Sequence, residues 1–209
     1  MCASTADCAG AASCVSGRCQ PDKGVPAIHT ARRIVAEPVD MAWLGPDTTP
    51  GTLPPHGPLG RPGTSLLMRF SVPLAPDAKL VEAYVVLHRV EVVDDDPSPI
   101  SLHATRIIDV WNGRSTSAAR APRTEEVRAS TTRVDPAGPA LVRVDVRGLV
   151  ERWRKRSADD QGLAIVAEGE TETGMTFALH PSSVDVAPGP QRTPLRASVP
   201  GPYLELYVR

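Results

Sequence analysis

From residue 65 onward, apolar side chains recur at every second position. Over residues 65–72, Leu66, Met68 and Phe70 share one parity, and Leu67 and Arg69 the other. Over 80–93, Val81, Ala83, Val85 and Leu87 alternate with Glu82, Tyr84, Val86 and His88. Over 100–110, Leu102 and Ala104 alternate with His103 and Thr105. Shorter runs follow at 141–146, 162–168, 175–180 and 203–208. A period of two sends successive side chains to opposite faces of an extended chain, so these runs are strands. Asp94-Asp95-Asp96-Pro97-Ser98-Pro99 is a strong turn signal between two of them. Short strands punctuated in this way predict an all-β, antiparallel sandwich.

One segment departs from the alternation. Val146, Leu149, Val150 and Trp153 fall at i, i+3, i+4 and i+7, which is one face of a helix. The expectation is a two-turn helix, capped by Asp145, that plugs one end of the sandwich. Upstream, Ile34, Val35, Val39, Met41 and Trp43 suggest one strand broken near Pro38. Residues 45–63 hold five Gly and six Pro, which excludes a helix or a central strand and predicts a long surface loop, partly polyproline-like. With 22 Pro and 16 Gly in 209 residues and only 4% aromatics, the core is expected to be mostly aliphatic. No apolar run approaches the roughly 18–20 residues that span a bilayer.

All four cysteines lie near the start: Cys2, Cys8, Cys14 and Cys19. The surrounding stretch is too small and polar to bury a core, so a two-disulfide knot is the favoured reading. Zinc is the competing one; it fits poorly, because the spacing lacks CxxC knuckles and no His lies within the cluster. Four cysteines allow three connectivities, and all three stay open. The chain then divides into a Cys-rich module (1–20), a polar linker (21–30) and the sandwich (31–209).

The pattern C-x5-C-x5-C-x4-C, with Asp7-Cys8 and Cys14-Val15-Ser16-Gly17-Arg18-Cys19, resembles short Cys-rich modules of secreted myxobacterial proteins, of the Dickkopf amino-terminal type. That resemblance implies an oxidising compartment and an extracytoplasmic protein, secreted or attached to the outer surface. No n-region or h-region opens the chain, so a secretory leader is expected to be absent from this stretch. Cys2 directly after Met1 is also a candidate lipid-anchored cysteine, although acylating it leaves an odd thiol among the other three.

A second resemblance covers residues 31–209. Ser65-Leu66-Leu67-Met68-Arg69-Phe70, then Leu74-Ala75-Pro76-Asp77-Ala78-Lys79-Leu80, is similar to the opening of DNRLRE domains. Asp145-Val146 with Leu149-Val150 and Trp153 is similar to their "DVT-x-LV-x-x-W" motif. Gln161-Gly162-Leu163, Phe177-Ala178 and Pro202-Tyr203-Leu204-Glu205-Leu206 follow in the family's order. The resemblance implies a jelly-roll β-sandwich related to family 96 carbohydrate-binding modules. The usual Trp-rich loop of that family has shrunk here to Asp109-Val110-Trp111-Asn112-Gly113-Arg114, and its naming hexapeptide is not visible.

The charges nearly cancel, at 23 basic and 24 acidic, which disfavours a nucleic-acid or membrane-surface binder. Their distribution is uneven. Residues 106–156 carry 12 basic and 6 acidic side chains, net +6. All but Lys23, Lys79 and Lys155 of the basic residues are arginine; base composition of a GC-rich genome accounts for this, and bidentate anion binding is the functional alternative. If the basic groups converge, they suit an acidic polysaccharide, with Arg114, Arg152, Arg154 and Arg156 as contacts and Trp111 as a stacking platform. The competing reading makes Trp111 a core residue and the arginines a solvated surface.

No HExxH, GxSxG, P-loop or GxGxxG occurs, so no catalytic residues are assigned and a polysaccharide lyase or hydrolase is a minor alternative. His88 and His103 flank the acidic turn, and they would share a metal only if a hairpin put both on one face. Asp94, Asp95 and Asp96 are weak candidates for a structural calcium, with a solvated turn as the simpler reading. The sequence therefore predicts a non-catalytic surface protein that binds an acidic polysaccharide. The alternative is a structural or adhesive protein that assembles with itself or with another surface protein through exposed strand edges.

Overall fold

The computed structural model describes residues 12–15, 18–21, 31–46, 48–72, 74–75, 77–90, 98–125, 131–157, 160–168, 172–185 and 196–209. Within it, 12–15, 18–21, 182–185 and 196–199 are described by their backbone alone. The first two strands, β1 (Ala12–Val15) and β2 (Arg18–Pro21), form an antiparallel hairpin in which Cys14 stands opposite Cys19. Cys2 and Cys8 lie outside the described residues, as do Asp94, Asp95 and Asp96.

The run after the linker splits in two. β3 (Arg32–Ala36) joins one sheet and β4 (Pro38–Leu44) joins the other. The split falls where sequence placed it. Pro38 has no N–H to give a ladder, and the pairing of β4 slips between Pro38 and Asp40. The 45–63 loop is less irregular than expected: it contains β5 (His56–Leu59). β6 (Ser65–Phe70), β7 (Leu80–His88) and β8 (Ile100–Ile107) follow. Then come β9 (Thr124–Glu125), β10 (Thr132–Val134) and β11 (Leu141–Asp145). The one α-helix among the described residues, α1 (Arg147–Lys155), precedes β12 (Leu163–Glu168), β13 (Met175–Ala178), β14 (Ser182–Asp185), β15 (Arg196–Val199) and β16 (Tyr203–Val208).

Two antiparallel sheets face each other. One has six strands, ordered β10-β8-β12-β6-β4 with β9 also on β8. The other has four, ordered β11-β7-β16-β3. β5 pairs with β13, and β14 with β15, as separate two-stranded ladders. The inward parities are those read from sequence. Leu66, Met68, Phe70, Ala83, Val85, Leu87, Leu102, Ala104, Leu163, Ile165, Leu204 and Leu206 lie in one buried core. This is an all-β antiparallel sandwich.

Helix α1 adds Leu149, Val150 and Trp153 to the same core, as the helical spacing required. Its cap differs in detail from the expectation. Val146 is the N-cap residue, while Asp145 accepts the Arg147 N–H on Oδ1 at 2.9 Å. One expectation is corrected. β7 and β8 are consecutive strands, but they belong to different sheets. His88 has the parity opposite to core Leu87, and His103 the parity opposite to core Leu102 and Ala104. The two histidines therefore look out from opposite faces of the sandwich and do not share a metal.

Candidate ligand-binding surfaces

Because one stripe of α1 is buried, its other side must face solvent. Gly148, Glu151, Arg152, Lys155 and Arg156 line a shallow, open depression there. The cations cluster at the helix C-terminus, where the macrodipole favours positive charge. Arg152 Nη1 lies 3.6 Å from Glu125 Oε2, and Arg106 Nη2 lies 2.8 Å from the same oxygen. Arg147 pairs with Glu151 one turn on, at 3.1 Å. Lys155 and Arg156 are exposed.

The five residues expected at one site do not all converge. Arg152 and Arg156 line this depression. Arg154 is exposed and reaches instead toward the Ala75 carbonyl, at 3.5 Å. Arg114 and Trp111 belong to the loop that follows β8, on the outer face of the six-stranded sheet.

Trp111 corrects the platform expectation. It is 5% exposed and packs on Ala42, Leu44, Leu67, Ile107 and Ala164 in a second, smaller core. Its Nε1–H donates to the Gln161 carbonyl at 2.6 Å, and the Arg69 guanidinium sits 5.7 Å from its ring centroid. Arg69 in turn pairs with Asp40 at 2.9 Å, and Asp40 Oδ1 accepts the Gly113 N–H at 3.0 Å. Gly113 is needed there, since a Cβ would stand 2.4 Å from the Met41 carbonyl oxygen. The ring thus pins the loop to the sheet and leaves too little surface for a sugar to stack on. Arg114, at the loop's outer end, is exposed.

A second polar surface was missed by sequence reasoning. All three tyrosines of the chain, Tyr84, Tyr203 and Tyr207, lie on the outer face of the four-stranded sheet and are partly exposed. Ladder register brings them together. Glu205 sits between Tyr203 and Tyr207 on β16, directly opposite Tyr84 on β7 and Val35 on β3. Glu205 is 1% exposed. Arg33 donates to its Oε1 through Nε, and Arg143 to its Oε2 through Nε at 2.9 Å. Burial alone raises the Glu205 carboxyl, but the hydrogen bonds and charges of Arg143 and Arg33 outweigh it and hold the group below its ordinary range. Tyr84 is pushed up by burial and by neighbouring Glu82, which accepts its hydroxyl at 3.1 Å. The only signal in the sequence was parity, since each tyrosine occupies the outward position of an alternating strand.

Among the described residues, no three His, Cys, Asp or Glu side chains converge as a metal ion requires. No helix of the described residues is long and apolar enough to cross a membrane. No family model matches the chain, and no curated protein matches it.

Proposed function

We propose that this chain is a non-catalytic, extracytoplasmic module that binds an acidic polysaccharide of the cell surface or matrix. One observation carries the reading: Arg152, Lys155 and Arg156 line a single open depression at the end of α1. Three cations at one accessible place suit a polymer with regularly spaced carboxylates. The net charge of +6 carried by residues 106–156 agrees in sign with that reading. The motif resemblance to DNRLRE domains and the antiparallel sandwich support the same reading. Arg114 and Arg154 are outlying contacts rather than parts of the depression, and Trp111 has no part in binding.

The test is titration calorimetry of the full chain with polygalacturonate and with alginate. Binding that weakens steeply with added salt is expected, as is a loss of roughly tenfold or more in the Arg152→Ala/Lys155→Ala/Arg156→Ala variant. Absence of binding to either polymer at low salt overturns the reading.

The adhesive alternative rests on a different observation. Val35 and Val39 are 48% and 62% exposed, on the two edge strands β3 and β4 that flank the Pro38 crossing. Exposed apolar edges are templates for pairing with another chain. A monomer at every concentration in sedimentation velocity removes that reading.

A further inference from the structure

We propose that the outer face of the four-stranded sheet is a second binding surface, for an uncharged glycan, built from Tyr84, Tyr203 and Tyr207 around the Arg33–Glu205–Arg143 cluster. It goes beyond the polyanion site on α1, which it neither uses nor requires.

The argument begins with charge. This face holds two guanidiniums and three carboxylates, on Arg33, Arg143, Glu82, Glu205 and Asp145. Each carboxylate already has a partner: Glu205 both arginines, Glu82 the Tyr84 hydroxyl, and Asp145 the Arg147 N–H at 2.9 Å. A polyanion gains little from a face whose cations are matched and outnumbered. A sugar hydroxyl gains more, because it both donates and accepts.

The donors are fixed in place. Arg33 and Arg143 engage Glu205 only through Nε, and their side chains remain 51% and 41% exposed. Their terminal Nη groups have no hydrogen-bond partner among the described residues. Each guanidinium is thus oriented by a buried carboxylate while its outer N–H groups stay available, which lowers the ordering cost of binding. Acceptors lie beside them, on Glu82 and Asp145.

The rings supply the apolar component. Tyr203 and Tyr207 stand four residues apart on one strand, about 13 Å along its axis. Tyr84 lies across from their midpoint, opposite Glu205. Partly exposed rings offer faces for the C–H side of pyranose units, with hydroxyl-binding groups between them. A protein partner fits less well. Protein interfaces have apolar, charge-poor centres, whereas this face has an ion cluster at its centre and Val35 as its one exposed large aliphatic.

The test uses the full chain against an array of neutral oligosaccharides (cello-, manno-, xylo- and galacto-oligomers), with polygalacturonate as the charged control. Calorimetry follows on the best neutral hit. The expected result is binding insensitive to salt. Tyr203→Ala and Tyr207→Ala should each weaken it, and the pair should weaken it roughly tenfold or more with the fold intact by circular dichroism. The α1 triple variant should leave it unchanged, while the tyrosine variants leave polygalacturonate binding unchanged. Absence of any neutral hit overturns the proposal, as does neutral binding that survives loss of both tyrosines. Self-association abolished by the tyrosine variants, without sugar binding, also overturns it and assigns the face to a second copy of the chain. None of these outcomes bears on the α1 site, whose own test is loss of polyuronate binding.

Discussion

Arg143 reaches across an entire strand to meet Glu205. It stands on β11, its partner on β16, and β7 runs between them, yet Nε and Oε2 are 2.9 Å apart. The arginine stem consequently lies over the outward side of β7, where Val86, paired with Arg143 in the ladder, has no exposed surface. Arg33 closes the carboxylate from the other side. The cluster therefore ties β11 to β16 and β3, with which it shares no direct ladder. Removing the carboxylate leaves two guanidiniums without their anchor, and removing the arginines leaves a buried charge unmatched. Arg33→Ala/Arg143→Ala is expected to destabilise the fold by about 3–5 kcal/mol in urea denaturation, because it strands a buried anion. Glu205→Gln should cost less, since an amide oxygen still accepts one of the two hydrogen bonds. A double-arginine loss smaller than about 1 kcal/mol, the size of an exposed pair, would show that the cluster is ordinary surface.

The same cluster sets an acid limit, and His88 sets an earlier one. Burial, and then the charge of Arg143, lower the His88 pKa below its ordinary value of 6.5. A lowered histidine stays neutral in the folded state while the unfolded chain takes up a proton. Its contribution is intact above the unfolded value and is lost as pH falls below it. Glu205 acts in the same direction at lower pH: its folded pKa is depressed, so its stabilisation is present above the ordinary carboxylate range and disappears as pH falls through the folded value. Thermal melts from neutral to acid pH should therefore fall in two stages. His88→Gln should remove the first stage and leave the second. A single acid transition unchanged by that substitution would sink the assignment.

Strand parity was legible in the sequence because alternation is a local property. Ala83, Val85 and Leu87 point inward as their spacing required, while at the start of β7 the register shifts and Leu80, not Val81, joins that core; β16 spans the residues that the alternation marked. The α1 face was legible for the same reason. Sheet membership was not. Nothing between His88 and His103 states that the chain crosses from one sheet to the other, and the Asp94-Asp95-Asp96 turn reads equally well as a hairpin. The Tyr84–Glu205 juxtaposition depends on pairing between segments some hundred residues apart, which no window along the chain contains. Trp111 was ambiguous by nature: a large aromatic in a polar loop suits either a stacking platform or a plug, and only the small apolar patch of Ala42, Leu67 and Ala164 beneath it decides.

That patch makes Trp111 a stability residue. Trp111→Ala is expected to cost about 3–5 kcal/mol, the usual range for a buried tryptophan. Trp111→Phe should cost less, because the ring remains while the Gln161 hydrogen bond is lost. Under conditions where either variant is folded, polygalacturonate affinity should match the parent. A selective loss of affinity in folded Trp111→Phe would restore the platform reading.

The cysteine expectation has a direct check. The β1–β2 hairpin places Cys14 opposite Cys19. With all four cysteines in disulfides, the unreduced protein takes up no alkylating reagent, and the reduced, unfolded protein takes up one adduct per cysteine, four in all. Uptake before reduction, measured by intact mass, would refute the two-disulfide knot.

Gly162 is the most constrained backbone position next to the core. Its φ is +88°, in the region that L side chains rarely adopt, and a Cβ there would stand 2.2 Å from the Met68 carbonyl oxygen. Both features arise from its place. The chain leaves Asp160, whose carboxylate accepts the Gly162 N–H at 3.2 Å, and turns at once into β12, which pairs with β6 through Leu163 and Met68. The obstructing atom is backbone, so it cannot swing aside as a side chain does. Gly162→Ala should therefore destabilise the fold by at least about 1 kcal/mol through conformation alone, and by more through the displaced β6–β12 ladder. Gly148, exposed in α1 with open space where a Cβ would stand, provides the opposite control. Gly148→Ala should stabilise the helix by roughly 0.5–1 kcal/mol. Urea denaturation of the two variants should move the midpoint in opposite directions. A Gly162→Ala protein as stable as the parent would mean that the β6–β12 junction is not built as described.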